Sequence, residues 1–342
     1  MSKIPLPTVR AWATKMAVAH PTSLARQLAR AFGVSRAAAT STLSRLVQEG
    51  WLVREGTTRP RYSLGAKRQC YASLALPGVD EAQIWEREFR PYLSLRENVE
   101  QICFHGFTEI VNNANDHSGG SNVTMMVTQD ESYAQIAIQD DGLGIFERIT
   151  SALKLPDRRL ALLELSKGKL TTDPARHSGE GIFFTSRMFD RFTIRANELI
   201  YSHDSGTQWD WLTEFETKTQ GTGVFMLVDL ATTRTTRQVF DDFADSAESF
   251  EFDKTIVPVR LARLGNENLL SRSQAKRLIA RFDRFRQVIL DFRDVPEIGQ
   301  AFADELFRVF ANSHPQVALV PVNMEVPVER MMKRVKGVGG ST

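Results

Sequence analysis

Three short glycine motifs constrain the fold of this chain more than any other feature. They occupy residues 140–144 (DDGLG), 177–181 (HSGEG) and 220–223 (QGTG). Glycine lets the backbone turn sharply and approach a ligand closely. Each motif alone is equally compatible with an ordinary tight turn. Their order, each beside a predicted strand or helix, instead favours one shared ligand pocket.

A long amphipathic helix is predicted from Glu97, before the first motif. Its apolar stripe includes Val99, Phe107 and Val111. The opposite face carries polar residues three or four positions apart, so that their side chains can meet one ligand. These residues are Glu109, Asn113, Asp116 and His117.

The three motifs suggest three different contacts with that ligand. An alternating strand, residues 132–138, leads into Asp140, whose carboxylate can accept a hydrogen bond from an exocyclic amine. Gly179 and Gly181 open a helix, where backbone N–H groups can bind an anion. Thr222 lies at the start of a strand. Between the first two motifs, a segment of about thirty residues is rich in basic side chains and predicts a mobile lid over phosphates; its cations are Lys154, Arg158, Arg159, Lys167, Lys169 and Arg176.

In order and together, these motifs resemble those of the gyrase, histidine-kinase and MutL ATPase superfamily (GHKL), over residues 95–230. The matching stretches are FTEIVNNANDHS, DDGLGI, HSGEGIFFTSRMFD and GTGVFMLVDL. The resemblance implies a Bergerat-type α/β sandwich that binds ATP and Mg²⁺. It implies Asn113 as the magnesium ligand, Asp140 as the adenine-reading carboxylate, Thr222 as support for the base-end strand, and four nucleotide-loop glycines: Gly142, Gly144, Gly179 and Gly181.

Glu109 lies where the hydrolytic and serine-kinase members of this superfamily have their general base. The resemblance therefore implies ATP hydrolysis or phosphoryl transfer, whereas a solvated helix acid is the simpler alternative. His117 matches a basic phosphate-binding position of the anti-sigma serine kinases, and Asp116 matches the gyrase pattern, so the subgroup stays open. Ile182 and Phe183 depart from the Leu-Gly that many members have after the second glycine motif.

Residues 1–76 contain twelve Lys or Arg and only two acids, a charge of +10 in a chain whose net charge is +2. Such segregation favours a phosphate-backbone ligand. Three predicted helices and a hairpin resemble the winged helix-turn-helix of bacterial regulators, through TSLARQLARAFGVSRAAATSTLSRLVQEGWLVRE. Double-stranded DNA is the expected partner; protein contact or dimerisation is the alternative. The predicted DNA-binding residues are Arg36, Thr40, Ser41, Arg45, Arg59 and Arg61.

The C-terminal part alternates predicted strands and helices between residues 255 and 335, which predicts helices packed on a sheet. The stretch QVILDFRDVPEIGQAFADELFRVF resembles the STAS-like domain of unknown function (DUF4325), and more remotely the anti-sigma antagonists. Those antagonists are phosphorylated on a serine, but residues 297–302 contain no hydroxyl. Docking, in cis or to a protein partner, is the expected role.

The predicted fold class is therefore α+β multidomain. The boundaries are 1–76 for the winged helix-turn-helix, 77–238 for the ATP-binding domain, 239–336 for the STAS-like domain and 337–342 for a flexible tail. An acidic linker, residues 241–245, precedes the third domain. The chain contains two cysteines, expected to be buried thiols, and no apolar run long enough for a bilayer. Without a secretory signal we expect a cytoplasmic protein.

Three functions compete on these observations. The first is a DNA-binding regulator, as a monomer or a homodimer, whose domain arrangement responds to ATP binding and slow hydrolysis. The second is a serine/threonine kinase resembling the anti-sigma factor kinases. The third is an adaptor that binds nucleotide without turnover. DNA target, phosphoacceptor and input signal are not encoded in any recognisable motif.

Overall fold

The computed structural model describes residues 6–170, 179–207, 209–244, 252–264 and 267–337. Within these ranges the chain is a mixed α/β structure with sheets of two, three and five strands. Several residues named in the sequence analysis lie outside these ranges. They are Arg176 of the predicted lid, His177 and Ser178 of the second glycine motif, Asp245 of the linker, and residues 338–342 of the tail.

The N-terminal segment has three helices followed by an antiparallel hairpin: α1 Leu6–Ala19, α2 Leu24–Phe32, α3 Arg36–Gln48, β1 Leu52–Glu55 and β2 Arg61–Leu64. Gly33, in the left-handed conformation with φ 64°, ends α2. The Ser35 hydroxyl then caps α3 by accepting the Ala38 N–H at 3.2 Å. The segment has its own core, which includes Val9, Leu24, Leu28, Leu43, Leu46 and Tyr62.

The central sheet has the strand order β3-β4-β5-β7-β6, and all its neighbours are antiparallel. Its strands are β3 Arg68–Ala75, β4 Asn122–Gln129, β5 Tyr133–Asp140, β6 Arg191–Asp204 and β7 Trp209–Asp229. Every second residue of β4 and of β5 is buried. Because side chains alternate between the two faces of a strand, one face of this sheet is covered.

Three helices pack on the sheet: α5 Glu97–His117, α6 Ile145–Leu153 and α8 Gly181–Met188. Three others, α4 Glu81–Ile84, α7 Arg159–Lys167 and α9 Thr236–Phe243, pack against these helices. The predicted apolar stripe of α5 is buried at Val99, Phe107 and Val111. Gly106 on this stripe allows close packing, since a Cβ there would lie 2.4 Å from the Phe189 ring.

The cysteines Cys70 and Cys103 are free and buried, and burial raises the pKa of each thiol to about 12.

Strand β3 belongs by hydrogen bonding to the central sheet, although the predicted boundary at residue 76 placed it in the N-terminal domain. It pairs with β4 from Arg68, opposite Gln129, to Ala75, opposite Asn122. The N-terminal segment is attached to it through α1, where the buried Thr14 hydroxyl accepts the Gln69 N–H at 3.2 Å. The partner of β3 comes some fifty residues later in the chain, so local sequence does not reveal the pairing.

The C-terminal part contains a sheet and helices, as the alternation predicted, and its three strands are parallel in the order β10-β9-β8. Its elements are β8 Lys254–Pro258, α10 Arg272–Ile279, β9 Gln287–Asp291, α11 Gln300–Asp304 with a π-helical continuation Glu305–Phe310, α12 Ala311–Ser313, β10 Ala318–Val322 and α13 Val326–Gly337. The acidic residues 241–243 are not a linker, because they form the last turn of α9.

The described part of the predicted lid is not a lid. Residues 160–167 of α7 are all buried, and the helix packs against β8 of the C-terminal part. Lys167 is fully buried, and its Nζ donates to Glu164 Oε1 at 2.6 Å and to the carbonyls of Arg277 and Ala280 at 3.1 and 3.0 Å. Arg281 pairs with Glu164 Oε2 at 3.0 Å. α7 thus lies packed between the central and C-terminal parts.

Candidate functional site

A cavity of about 350 Å³ lies between α5 and the segments that carry the glycine motifs. Its lining includes all but one of the residues predicted to hold a nucleotide: Glu109, Asn113, His117, Asp140, Gly144, Gly179, Gly181 and Thr222. The exception, Gly142, donates its N–H to Asp140 in the cavity wall. The fold therefore brings together residues up to 113 positions apart in the sequence.

Asp140 ends β5 inside this cavity and is only 6% exposed. Its Oδ1 accepts the backbone N–H groups of Gly142 at 2.9 Å and Thr222 at 3.2 Å. Burial raises the pKa of the carboxyl, and these two hydrogen bonds oppose that shift. Since both donors reach Oδ1, Oδ2 is the oxygen with which Asp140 can accept a hydrogen bond from a ligand.

Two glycines allow the chain to close around Asp140. A Cβ at Gly221, where φ is +74°, would lie 1.9 Å from the Asp140 carbonyl oxygen. A Cβ at Gly142 would lie 2.2 Å from the Ser118 carbonyl oxygen. No larger residue fits either position without moving the backbone. Thr222, beside Gly221, accepts the Ile145 N–H at 3.0 Å and so fixes the start of α6.

Glu109, Asn113 and His117 lie one helical turn apart on α5 and all line the cavity. The start of α8 approaches them closely, because a Cβ at Gly181 would lie 1.8 Å from Glu109 Oε2. The first-turn N–H groups of α8 have no acceptor within the helix, and they lie at the same end of the cavity as the Glu109 carboxylate. That end can bind an anion and hold a carboxylate beside it.

Much of the remaining cavity wall is apolar. Branched aliphatic side chains from several elements form it: Ile110, Ile138, Ile145, Ile149, Leu165, Leu170 and Val224. An apolar wall with a few convergent polar groups is typical of a site for a small organic ligand. The single buried carboxylate of Asp140 lies on this wall, where it would fix the orientation of a flat ligand.

Sequence reasoning missed Arg148, which lies on α6 and lines the same cavity. Its Nε is buried and has no hydrogen-bond partner among the described residues. The guanidinium lies beside Gly119, where a Cβ would be 3.1 Å from Nη2. The helical spacing of Ile145, Arg148 and Ile149 was a signal for its position, because residues three and four apart share a helix face.

The basic residues predicted to cover phosphates have other contacts. Arg158 pairs with Glu147 and Glu198, both at 2.6 Å. Arg159 pairs with Asp157 at 2.5 Å. Lys169 Nζ donates to the Arg284 carbonyl at 3.0 Å, in the C-terminal part. Lys154 ends α6 in the left-handed conformation and does not line the cavity.

The predicted DNA-binding residues are all exposed: Arg36, Thr40, Ser41 and Arg45 on α3, and Arg59 and Arg61 in the hairpin. Arg45 pairs with Glu49 at 2.8 Å. Arg10 also pairs with Glu49, at 2.9 Å, and the two arginines lower the pKa of that carboxyl. One of the two acids of this basic segment is therefore neutralised locally.

The residues around Asn113 fit a magnesium ion that has few protein ligands and is coordinated mainly by a bound molecule and water. In the described part of the chain, no group of three or more His, Cys, Asp or Glu side chains is placed to hold a metal. Mg²⁺ usually takes only one or two protein oxygens and completes its shell with phosphates and water. The Asn113 amide, in the cavity one turn from Glu109, suits that mode.

In a comparison with known protein families, residues 274–329 match the STAS-like domain of unknown function (DUF4325). This stretch contains β9 and β10, so the C-terminal part is STAS-like. A comparison with curated proteins gives no match. Across the described ranges, no helix is both long enough and apolar enough to cross a membrane.

Proposed function

We propose that the cavity binds ATP with Mg²⁺ in the manner of the GHKL superfamily. The observation that carries the proposal is the convergence of Glu109, Asn113, Asp140, Gly181 and Thr222 on one cavity, from motifs distant in the sequence. A buried carboxylate, a helix start that can bind an anion and an amide that can ligate a metal around the same space support this proposal.

Asp140 gives this pocket its preference for adenine. Oδ2 of a buried carboxylate accepts a hydrogen bond from the exocyclic amine of adenine, whereas guanine presents a carbonyl there and would leave the carboxylate unpaired. The aliphatic wall packs against the base. The phosphates then extend toward Asn113 and the start of α8, where the N–H groups of the first turn bind them.

Glu109 is the proposed general base. It orients a water molecule for in-line attack on the γ-phosphorus and takes the proton of that water as the bond to the β,γ-bridging oxygen breaks, which yields ADP and phosphate. Magnesium, when bound, offsets the charge that develops on the leaving oxygens. We expect Glu109→Gln to abolish phosphate release while ATP still binds, and Asn113→Ala to weaken binding of the magnesium complex. Unchanged phosphate release by Glu109→Gln would refute the role of Glu109.

The basic N-terminal segment is the proposed DNA-binding module, and the chain a regulator whose hold on DNA responds to ATP. Its helices and hairpin have the order of a winged helix-turn-helix, and the exposed residues of α3 are of types that contact bases and phosphates. α1 packs directly on β3 of the sheet that carries the cavity. Coupling requires DNA affinity to differ between ATP, ADP and no nucleotide. Equal affinities in a gel-shift titration would exclude it.

A second candidate is transfer of the γ-phosphate to a serine or threonine of a protein. The STAS-like match and the neighbourhood of Glu109 and His117 favour it, since the anti-sigma kinases combine such a pocket with a STAS-type substrate. Incubation with γ-labelled ATP distinguishes the two. Label in free phosphate alone supports hydrolysis, and label on a separate protein supports the kinase. Binding without either product would leave a nucleotide-binding adaptor.

A further inference from the structure

A second cavity, of about 510 Å³, lies where the central part meets the C-terminal part. The end of α8 and strand β6 contribute Arg187 and His203, helix α9 contributes Asp242, and β8 and β9 contribute Lys254 and Ile289. None of these residues lines the first cavity. The motifs of the proposed nucleotide site therefore do not account for the second cavity.

Arg187 is the unusual group in its lining. It is only 9% exposed, and its cationic head lies over the Phe183 ring, 4.7 Å from the ring centroid. Its one hydrogen bond in the described structure is from Nη1 to the Ser186 hydroxyl at 2.7 Å, and no carboxylate of the described residues pairs with it. Burying a guanidinium without a counter-charge is unfavourable.

Arg234, in the same lining, is more exposed than Arg187, at 26% of its side chain, and yet it has more partners. It pairs with Asp190 at 3.2 Å and donates to the Met188 carbonyl and to the Ser205 hydroxyl. Among the described residues, Arg187 makes one hydrogen bond, whereas Arg234 makes one ion pair and two hydrogen bonds. The Arg187 guanidinium therefore has N–H donors, unpaired among the described residues, that can bind an anionic group in the cavity.

The charge of the lining is positive. Arg187, Arg234 and Lys254 are basic, and Asp242 is the one acid among the described lining residues. Lys254 Nζ donates to the Asp242 backbone carbonyl at 3.0 Å, and among the described residues its ammonium forms no ion pair with a carboxylate. An ammonium and a guanidinium that face one space are a typical binding arrangement for a phosphate group.

We propose that this second cavity binds a small phosphate-bearing molecule through Arg187 and Lys254. The cavity is large enough to hold a small metabolite and not only a single ion. The site spans both parts of the chain, and α8 connects it to the first cavity, since Gly181 lies at one end of this helix and Arg187 at the other. A ligand here would therefore stabilise one arrangement of the central and C-terminal parts.

Inorganic phosphate is a suitable probe, titrated calorimetrically into the full-length protein in chloride buffer. We expect saturable binding that Arg187→Gln and Lys254→Gln each weaken at least about tenfold, the loss expected for a charge-assisted contact. Arg191→Gln is the matched control, because Arg191 is 64% exposed and pairs only loosely with Asp204 at 3.9 Å. Lys254 is half-buried, so Lys254→Gln is expected to fold. If Arg187→Gln does not fold, the phosphate affinity of Lys254→Gln tests the proposal.

Two further titrations separate this site from the proposed nucleotide pocket. Phosphate affinity should be unchanged in Asn113→Ala, and ATP affinity should be unchanged in Lys254→Gln. No saturable phosphate binding, or binding that Lys254→Gln leaves intact and Asn113→Ala removes, would overturn the proposal. The ATP titration of the unmutated protein tests the first cavity independently of either outcome.

Discussion

The Asp140 carboxylate is held in the cavity at a cost to stability, because its pKa is raised by burial. A group with a raised acid pKa in the folded state destabilises that state at neutral pH. Asp140→Asn removes the charge and keeps an oxygen that can accept the N–H groups of Gly142 and Thr222. We therefore predict a melting temperature equal to or above that of the unmutated protein, measured by calorimetry at pH 7. A clear decrease would contradict this account of the carboxylate.

His105 makes the protein sensitive to acid. Its Nε2 is buried without a hydrogen-bond partner in the described structure, its ring packs edge-on against Phe240 at 5.7 Å, and burial lowers its pKa to about 4. The unfolded chain takes up a proton near pH 6.5, the folded protein only near pH 4. The free energy of unfolding should therefore fall as the pH drops from 6.5 toward 4, by on the order of 2 kcal/mol at pH 5.

Denaturant unfolding of His105→Phe between pH 7 and pH 5 measures this term. The variant should lose less stability over that interval than the unmutated protein. His20→Gln changes an exposed histidine and is the control. Identical pH dependence of His105→Phe and the unmutated protein would show that His105 is not the group responsible.

Spacing along α5 made Glu109, Asn113 and His117 predictable, since an α-helix places every fourth residue on one face. The acceptor role of Asp140 toward Thr222 was not predictable, because it depends on β5 and β7 being neighbours in the sheet. Arg148 was missed because it lies outside every motif. Residue patterns thus indicate the polar groups on one element and not the partners brought by another.

At the scale of elements, α7 holds the central and C-terminal parts together through a buried charge cluster. Glu164 is paired with both Lys167 and Arg281, and burial lowers the pKa of Lys167 to about 8. Glu164→Gln would leave two buried cations without a counter-charge. We predict a loss of about 3–5 kcal/mol in the free energy of unfolding, the usual cost of breaking a buried pair.

Glu214→Gln is the matched control for this prediction. The Glu214 side chain is 61% exposed and lies 3.5 Å from Arg159. Arg159 begins α7, the helix that carries Glu164 near its other end. An exposed pair of this kind contributes about 0–1 kcal/mol. Similar small losses for both variants in urea unfolding would show that the cluster does not stabilise the junction.

The sequence of α7 explains why the lid expectation was wrong for the described residues of that segment. Its basic residues suggested phosphates, but residues 160–165 read LALLEL, which is apolar around most of the helix. A helix that is apolar all round is buried between layers. The strand and helix alternation of the C-terminal part was predicted correctly because each element there has a strong local pattern, whereas the assignment of β3 needed knowledge of its distant partner.

For the whole molecule, the segregated charge predicts how DNA binding depends on salt. If α3 and the hairpin contact phosphates, log affinity should fall linearly with log salt, because bound counterions are released. Arg61→Ala should reduce that slope by about one unit and weaken binding similarly to all duplexes. Arg237→Ala, an exposed arginine on α9, is the control. A salt-independent affinity would favour the alternative role of this module in protein contacts.

The proposal that this chain is an ATP-binding regulator depends first on the cavity between α5 and the glycine motifs. Calorimetric titration of ATP with Mg²⁺ into the unmutated protein and into Asp140→Asn tests it most directly. We predict saturable binding of one ATP per chain, weaker binding of GTP, and loss of ATP binding in Asp140→Asn, which should remain folded. No ATP binding to the unmutated protein, or equal binding to Asp140→Asn, would contradict the assignment of this cavity.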